Sequence, residues 1–400
     1  MGTSIMDKAR VIILYILLLR STACQSGRKA GEQSGADKPV ENQQDVMGNN
    51  NQSVADTLSG NFYKHFEGKI AGKDVVLDLQ SLNHQLSDSY YYLDHRKSIS
   101  LSEQTTASSG DTLVLEEKAW NAGEEGGYPL WKIVYTAGGL KGIWYSKDGD
   151  KTYAIGLQEQ YPEGTLPLNY YYFEKEYPAF PDRKDSPHYT IRLQYPYASA
   201  ETPHGTWVNT RVKNILDFDF DADFKQGKEQ WIKQLLQEYR SQLHEMDSAQ
   251  LSLAANDWQN DKTVHIFSNQ NGYLQLETGD YVYLGGAHGT PFSRNYVLDI
   301  RHEKQLVLSD ITGMDSLSLQ QLIEAQFRKD YLKEGDSLRS ILFEDHLAAN
   351  ENFSFDMQGI TFTYVPYEVA PFAAGYIYVK LPYAQLKGTL VDEFKQRMGL

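Results

Sequence analysis

The sequence predicts an α+β protein, with a small antiparallel β-barrel-like domain followed by a larger α+β domain with two main helices. Residues 61–160 alternate apolar and polar side chains with a period of two, and glycine-containing turns separate the alternating segments. Residues 187–400 combine similar strand patterns with two main segments whose apolar side chains recur at helical spacing. Because strands precede and follow these helices, we expect hairpin pairing within one mixed domain.

Composition narrows the classes of function. The 400 residues include 28 Tyr, 16 Phe and 31 Gly, a balance typical of β-rich proteins with tight turns. The formal net charge of −15 disfavours nucleic-acid binding through phosphate contacts and favours basic partners. The single Cys excludes an intrachain disulfide framework and any Cys-rich metal site.

Residues 1–23 have the pattern of a signal peptide. Lys8 and Arg10 are followed by Val11–Leu19, an apolar run of nine residues. A bilayer core of about 30 Å needs roughly 20 apolar residues, so this run is too short to span it. The length suits the central region of a signal peptide.

Ser21-Thr22-Ala23-Cys24 places the only cysteine directly after small residues. The segment resembles the lipobox of bacterial lipoproteins, and this resemblance implies acylation of Cys24 and anchoring in the cell envelope. Two or more acyl chains give stable anchoring. The alternative is an ordinary secretory signal with a chance cysteine. Acidic residues directly after such a cysteine resemble a surface-export signal; because none follows here, we expect a membrane-anchored lipoprotein that faces the periplasm.

Residues 24–60 are predicted to be a flexible tether. Gln, Asn, Ser, Gly, Asp and Lys dominate this segment, and no aromatic residue occurs between Cys24 and Phe62. Such a composition cannot offset the entropy lost when the chain becomes ordered. We therefore expect a spacer that separates the folded part from the membrane.

Residues 61–160 are predicted to form the small all-β domain, a meander of six to eight short strands that closes into a barrel. Its Tyr and Trp side chains allow two interpretations. They fill the interior as core, or they line a cavity that holds a small ligand. The second interpretation makes the protein a small-ligand carrier. A Pro-rich connector is predicted over residues 161–186.

Helices and strands are both predicted in residues 187–400. Apolar side chains recur every four residues in Gln226–Met246, which predicts the clearest helix. Similar spacing predicts a second helix over Leu317–Leu332 and a shorter third helix over Leu338–Leu347. Strands are predicted around them at Thr190–Tyr195, Val264–Phe267, Tyr273–Glu277, Tyr281–Leu284, Ile360–Tyr364 and Tyr376–Leu381.

Two segments of the larger domain are distinctive. The first, Tyr283–Gly289, contains a glycine pair and a histidine; the second, Phe362–Gly375, contains prolines and aromatic residues. In order and spacing they resemble the C-terminal domain of RsiV-type anti-sigma factors, catalogued as domain of unknown function 3298, which also occurs in some peptidoglycan deacetylases. In the RsiV type this domain lies outside the cell and binds lysozyme, a basic protein. The resemblance implies an extracytoplasmic binding role rather than signalling.

The residues of these segments are the candidate binding residues: Gly285, Gly286, His288, Tyr364, Pro366, Tyr367 and Phe372. His288 is either a base beside a glycine oxyanion loop, or a locally hydrogen-bonded residue of a turn that needs positive φ. No nucleophile motif accompanies it, so no catalytic residue is assigned. The aromatic residues either present anchors for protein or glycan recognition, or cap the core while the prolines shape a turn.

No metal or cofactor motif is found in the sequence. Asp217–Phe224 alternates acidic and apolar residues, but an EF-hand loop requires Gly at its sixth position and Glu at its twelfth. Those positions hold Ala222 and Lys228. A half-buried strand leading into the next helix explains the run better. Zinc, P-loop and dinucleotide motifs do not occur.

The leading hypothesis is a lipid-anchored, non-enzymatic binding protein of the bacterial envelope. Its C-terminal domain would recognise a basic protein such as a lysozyme-type hydrolase, or the glycan of peptidoglycan. One alternative is a cell-wall hydrolase that uses His288 and a nearby carboxylate. The other is a carrier that holds a small ligand in the N-terminal barrel.

Replacing Cys24 tests the lipid anchor. Without the thiol no acyl chain can attach at this position, so Cys24→Ser should abolish the incorporation of labelled palmitate in a bacterial host. Ser21→Ala, three residues earlier, should still be labelled. A free thiol at Cys24 in the mass spectrum of the mature wild-type protein would contradict the prediction.

Overall fold

The computed structural model describes residues 58, 60–83, 85–104, 108, 111–118, 127–136, 138–199, 201–217, 224–244, 246 and 256–400. The predicted signal peptide, Cys24 and nearly all of the predicted tether lie outside these residues, as do residues 218–223 of the acidic run. In the part of the chain that is described, no helix has the length and apolar character needed to cross a membrane.

Eight antiparallel strands close into a barrel. Strand β1 pairs with β2 on one side and with β8 on the other, which joins the two ends of the meander. The strands are β1 (Phe62–Ile70), β2 (Lys73–Leu82), β3 (Gln85–Tyr92), β4 (Ile99–Glu103), β5 (Thr112–Lys118), β6 (Leu130–Thr136), β7 (Gly139–Tyr145) and β8 (Thr152–Glu159). The pairing of β1 with both β2 and β8 confirms the predicted barrel. The period-two pattern of the sequence places alternate side chains in its interior.

Large side chains fill the barrel interior. Phe66, Leu77 and Trp131 are fully buried in one apolar cluster with side chains from every strand of the barrel. Near one end, Lys64 forms an ion pair with Glu159 at 2.6 Å. This packing favours the interpretation of the aromatic residues as core material.

Six further strands continue the sheet beyond the barrel. They are β9 (Asn169–Pro178), β10 (His188–Tyr197), β11 (Trp258–Gln270), β12 (Tyr273–Tyr283), β13 (Thr290–Asp299) and β14 (Lys304–Gln305). They pair in this order; β10 and β11 are parallel and the other pairs are antiparallel. A bridge between Phe62 and Asn169 links β9 to barrel strand β1. The segment predicted as a connector therefore contains a strand of the sheet.

Four helices occur among the described residues: α1 (Gly205–Ile215), α2 (Phe224–Leu243), α3 (Ser316–Tyr331) and α4 (Asp392–Met398). The two main predicted helices are confirmed as α2 and α3. Helix α1 was not predicted from the sequence. The residue before this helix, His204, makes no side-chain capping hydrogen bond, so the usual start signal is absent.

The predicted third helix over Leu338–Leu347 is wrong. The segment contains one 3₁₀ turn, Leu338–Ser340, followed by irregular structure. Its leucines still reach the core. The backbone N–H of Phe343 donates to the Val369 carbonyl oxygen at 2.9 Å, a tertiary hydrogen bond in place of a helical one. Apolar spacing alone does not distinguish a helix from a segment anchored at several points.

Helices α1 and α2 pack on one face of the larger sheet. On the other face, α3 and a small antiparallel sheet pack against β12 and β13. The small sheet consists of β15 (Phe353–Phe355), β16 (Gly359–Tyr364) and β17 (Ile377–Pro382). The fold is mostly β, with a barrel and helices in the described chain, and it is consistent with the predicted α+β class.

Alanine at Gly68 is expected to destabilise the barrel where β1 meets β8, whereas alanine at Gly156 is not. A Cβ at Gly68 would lie 2.8 Å from Leu157 Cα and collide with the Gly156 carbonyl oxygen, but a Cβ at Gly156 meets nothing within 4 Å. Because only backbone movement can relieve this clash, Gly68→Ala should lower the free energy of unfolding by about 1–3 kcal/mol. Gly156→Ala should lower it by less than about 0.5 kcal/mol. Denaturant titration measures the free energy of unfolding of both variants. Equal losses would contradict the close contact between β1 and β8 at Gly68.

Candidate functional site

The two distinctive segments of the sequence meet at one surface. The His288 and Phe372 rings are stacked, with centroids 4.2 Å apart and planes 15° apart. The Tyr367 ring lies 5.6 Å from the Phe372 ring. We call His288, Tyr367 and Phe372 the aromatic cluster. Tyr367 is 58% exposed, so the cluster presents aromatic surface to solvent.

The turn between β12 and β13 positions His288. Gly285 and Gly286 have φ angles of 85° and 104°, which glycine adopts without steric strain. His288 Nδ1–H donates to the Gly289 carbonyl oxygen at 2.9 Å. The Tyr281 ring occupies the space that a Cβ at Gly289 would need. These contacts agree with the interpretation of the glycines as turn residues.

The segment after β16 positions Tyr367 and Phe372. Tyr364 anchors it, because its ring is buried and its hydroxyl donates to the Ala348 carbonyl oxygen at 2.7 Å. Glu368 accepts a hydrogen bond from the Val365 N–H at 2.9 Å and closes the turn. Within this turn Tyr367 has a φ angle of 69°, a left-handed conformation that directs the chain back on itself.

The structure separates the predicted binding residues into two groups. The aromatic cluster is accessible at one surface. Tyr364 belongs to the core, Pro366 is partly buried, and Gly285 and Gly286 shape a turn. The structural interpretation therefore accounts for Tyr364, Gly285 and Gly286, whereas a recognition role of the aromatic cluster stays a prediction.

The hydrolase alternative requires a carboxylate near His288, and the described residues supply none within ion-pair distance of its ring. Its Nδ1 is bonded to a backbone carbonyl and its ring is stacked. Within the described ranges, no Asp or Glu forms an ion pair with His288. General-base catalysis also needs a nucleophile within hydrogen-bond reach. The backbone hydrogen bond and the stacking on Phe372 fix the orientation of the His288 ring.

A polar group on the larger sheet was not predicted from the sequence. Arg192 of β10 donates to Glu174 of β9 at 3.0 Å and to Asp261 of β11 at 2.7 Å. Asp261 Oδ1 is buried and accepts no hydrogen bond from the described residues. Burial raises the pKa of Asp261, although Arg192 opposes this. No local sequence pattern predicts this cluster of Arg192, Glu174 and Asp261, because the three residues meet only through the pairing of β9, β10 and β11.

One group of side chains has the composition of a metal site: Asp299, His302 and Glu393. The guanidinium of Arg397 already lies among them and donates to Asp299 at 2.8 Å. It also stacks 3.7 Å above the Tyr273 ring. Burial by itself would raise the pKa of Asp299, but hydrogen bonds from Arg397 and His302 lower it below its usual value. A side-chain cation thus occupies the place where a metal ion would bind.

Two family models match parts of the chain. Residues 310–384 match a family described as "Protein of unknown function (DUF3298)", and residues 183–290 match one described as "Deacetylase PdaC". The prediction of this domain of unknown function is confirmed for residues 310–384. The aromatic cluster joins the two matched regions, because His288 lies in one and Tyr367 and Phe372 lie in the other. A search of curated proteins finds no match.

Solved structures of DUF3298 proteins are also similar to this chain. A crystal structure of a family member from Bacteroides fragilis has 24% sequence identity and a TM-score of 0.51, and the match covers 59% of this chain and 98% of that one. A DUF3298 family protein from Pseudomonas aeruginosa has 18% identity and a TM-score of 0.42, over 57% of this chain and 96% of that one. The first of these likenesses shows a shared fold.

Removing Arg397 should leave the buried carboxylate of Asp299 without its guanidinium partner, with only His302 and backbone N–H groups still bonded to it. Both side chains are almost fully buried, with 5% and 3% exposure. Arg397→Met should therefore lower the free energy of unfolding by about 3 kcal/mol at pH 7. Glu393→Gln is the control, because Glu393 is half exposed and its loss should cost less than about 1 kcal/mol.

The pH dependence of the free energy of unfolding tests the same ion pair between Arg397 and Asp299. A carboxylate with a lowered folded pKa stabilises the fold above the unfolded pKa of about 3.9 and loses that contribution as the pH falls through the folded pKa. Without the guanidinium, Asp299 takes up a proton more readily, so its folded pKa is higher in Arg397→Met than in the wild type. The stability difference between wild type and variant should therefore shrink as the pH falls from the higher folded pKa of the variant to the lowered folded pKa of the wild type, because the unfolded pKa is common to both. A difference that is constant with pH would contradict the assignment.

Proposed function

We propose that this protein is an extracytoplasmic binding protein of the bacterial envelope, anchored by acyl chains on Cys24, and that the aromatic cluster is its recognition surface. The observation that carries the proposal is the stacking of His288 on Phe372, which joins two separate loops into one exposed aromatic surface. Aromatic side chains dominate binding energy at many protein interfaces. Because both loops are attached to strands of the core, little entropy is lost when the rings become ordered against a ligand.

A basic protein, such as a lysozyme-type hydrolase, is the first candidate ligand. The chain has 53 acidic and 38 basic residues, which gives a net charge of −15. Such a charge attracts a basic partner and increases the rate of encounter, and salt screens the attraction. The resemblance to the lysozyme-binding domain of RsiV-type proteins supports the same class of partner.

A cell-wall glycan is the second candidate. The family model described as "Deacetylase PdaC" matches residues 183–290 and so includes the turn that carries His288. The description names a deacetylase, and the domain that the sequence resembles also occurs in some peptidoglycan deacetylases, which supports a cell-wall glycan as ligand. A sugar ring has an apolar face that can lie against an exposed aromatic ring such as Tyr367.

Binding of lysozyme at two ionic strengths tests the first candidate. We expect the wild-type protein to bind lysozyme more weakly at high salt, and Tyr367→Ala to bind about tenfold more weakly than wild type at low salt. Tyr153→Ala is the matched control, because Tyr153 is 43% exposed on the barrel and away from the aromatic cluster in the sequence. It should bind as the wild type does.

Sedimentation with peptidoglycan sacculi tests the second candidate with the same variants. Binding to sacculi that depends on Tyr367, without binding to lysozyme, would assign the glycan. If Tyr367→Ala behaves as the wild type with both ligands, the aromatic cluster is not the recognition surface. Release of soluble fragments from the sacculi, lost in His288→Ala, would instead support the hydrolase alternative.

A further inference from the structure

One end of the β-barrel holds a carboxylate among aromatic rings. Glu117 lies near the end of β5, and a single oxygen, Oε1, accepts three hydrogen bonds. The donors are the Tyr90 hydroxyl at 2.6 Å, Trp131 Nε1 at 2.8 Å and Trp144 Nε1 at 2.7 Å. These donors fix the position of the carboxylate.

Three aromatic residues donate to this carboxylate, and a fourth, Tyr153, lies beside one of them, Trp144. Trp131, Trp144 and Tyr153 occupy directly paired positions on β6, β7 and β8, so their side chains point to the same face of the sheet. The Tyr90 ring lies 4.7 Å from that of Trp131, and the Tyr153 ring lies 5.4 Å from that of Trp144. We call Glu117 and these four aromatic residues the mouth cage.

The mouth cage changes from buried to open along its depth. Tyr90 and Trp131 are buried and form its floor, whereas Trp144 is partly buried and Tyr153 is 43% exposed. The mouths of β-barrels are common sites for small ligands. The interior below is filled with side chains, so the accessible part is the rim formed by Trp144 and Tyr153.

The negative charge of Glu117 has no cationic partner among the described residues. Its three hydrogen-bond donors are neutral, since burial and the nearby Glu117 raise the pKa of Tyr90 and keep its hydroxyl protonated. The second oxygen, Oε2, accepts no hydrogen bond in the described chain and is not a buried atom. A purely structural role explains the bonds to Oε1, but it does not explain the free Oε2 beside exposed rings.

We propose that the mouth cage binds a small organic cation that carries an ammonium or trimethylammonium group. Aromatic faces attract such cations, and the attraction increases when the cation is shielded from water. Glu117 adds a full negative charge at the floor of the site. A metal ion fits less well, because calcium and magnesium require several oxygen ligands, whereas the other polar groups here are N–H and O–H donors directed at Glu117.

Choline and its neutral isostere 3,3-dimethylbutan-1-ol test the proposal. The two ligands have nearly the same shape and differ in charge, so shape alone would give equal affinities. We expect choline to shift the indole N–H resonances of Trp131 and Trp144 in the full protein, and the neutral isostere to bind at least about tenfold more weakly. Equal binding of both ligands, or no shift with choline, would overturn the proposal.

Variants locate the binding to this end of the barrel. Glu117→Gln keeps an oxygen acceptor for the ring donors but removes the charge, so choline should bind about tenfold more weakly. Tyr153→Ala removes one exposed wall and should also weaken choline binding, whereas Tyr367→Ala in the aromatic cluster should not. Unchanged affinity in both Glu117→Gln and Tyr153→Ala would overturn the site. If Glu117→Gln does not fold, two measurements still test the proposal. They are the comparison of choline with its neutral isostere on the wild-type protein, and the affinity of Tyr153→Ala for choline.

Discussion

The β12–β13 hairpin is buried on both faces, and the C-terminal part of the fold depends on this double burial. Leu276 and Leu298 belong to the core under α1, while Tyr273 and Val297 belong to the core under α3 and the small sheet. Because side chains of a strand alternate between faces, neither layer can shift without disturbing the hairpin. The turn of this hairpin carries His288, so two cores hold the strands from which this part of the aromatic cluster extends.

Buried amide side chains connect the layers where strands do not pair. The side chain of Gln275 exchanges two hydrogen bonds with the backbone of Phe355, at 2.8 and 2.9 Å. The Asn352 side chain donates to the Ser293 carbonyl oxygen and accepts from the Asn295 N–H. It thus bonds to the backbone of β13 at the positions where a neighbouring strand would. These bonds satisfy backbone groups at an edge that would otherwise be free to pair with another chain.

The two candidate binding surfaces use aromatic residues in different ways. In the aromatic cluster His288 is stacked on Phe372, Tyr367 is tilted against Phe372, and Glu368 closes the turn that carries Tyr367. Attraction of a basic partner to this surface would come from the net charge of the whole protein. In the mouth cage the charge is local, because Glu117 lies among the rings. The first arrangement is suited to a broad surface, where long-range attraction and apolar contact combine. The second is suited to one small charged group.

Local sequence patterns determined the barrel, the two main helices and the turn that carries His288, because periodicity and glycine content report the backbone conformation of each segment. Only the tertiary structure decided which aromatic residues are core and which are surface, as the buried Tyr364 and exposed Tyr367 show within one short segment. It also decided that Arg397 neutralises Asp299, and that Leu338–Leu347 is not a helix. The physical reason is the same in each case: burial and pairing depend on residues distant in the chain, and local spacing carries no information about them.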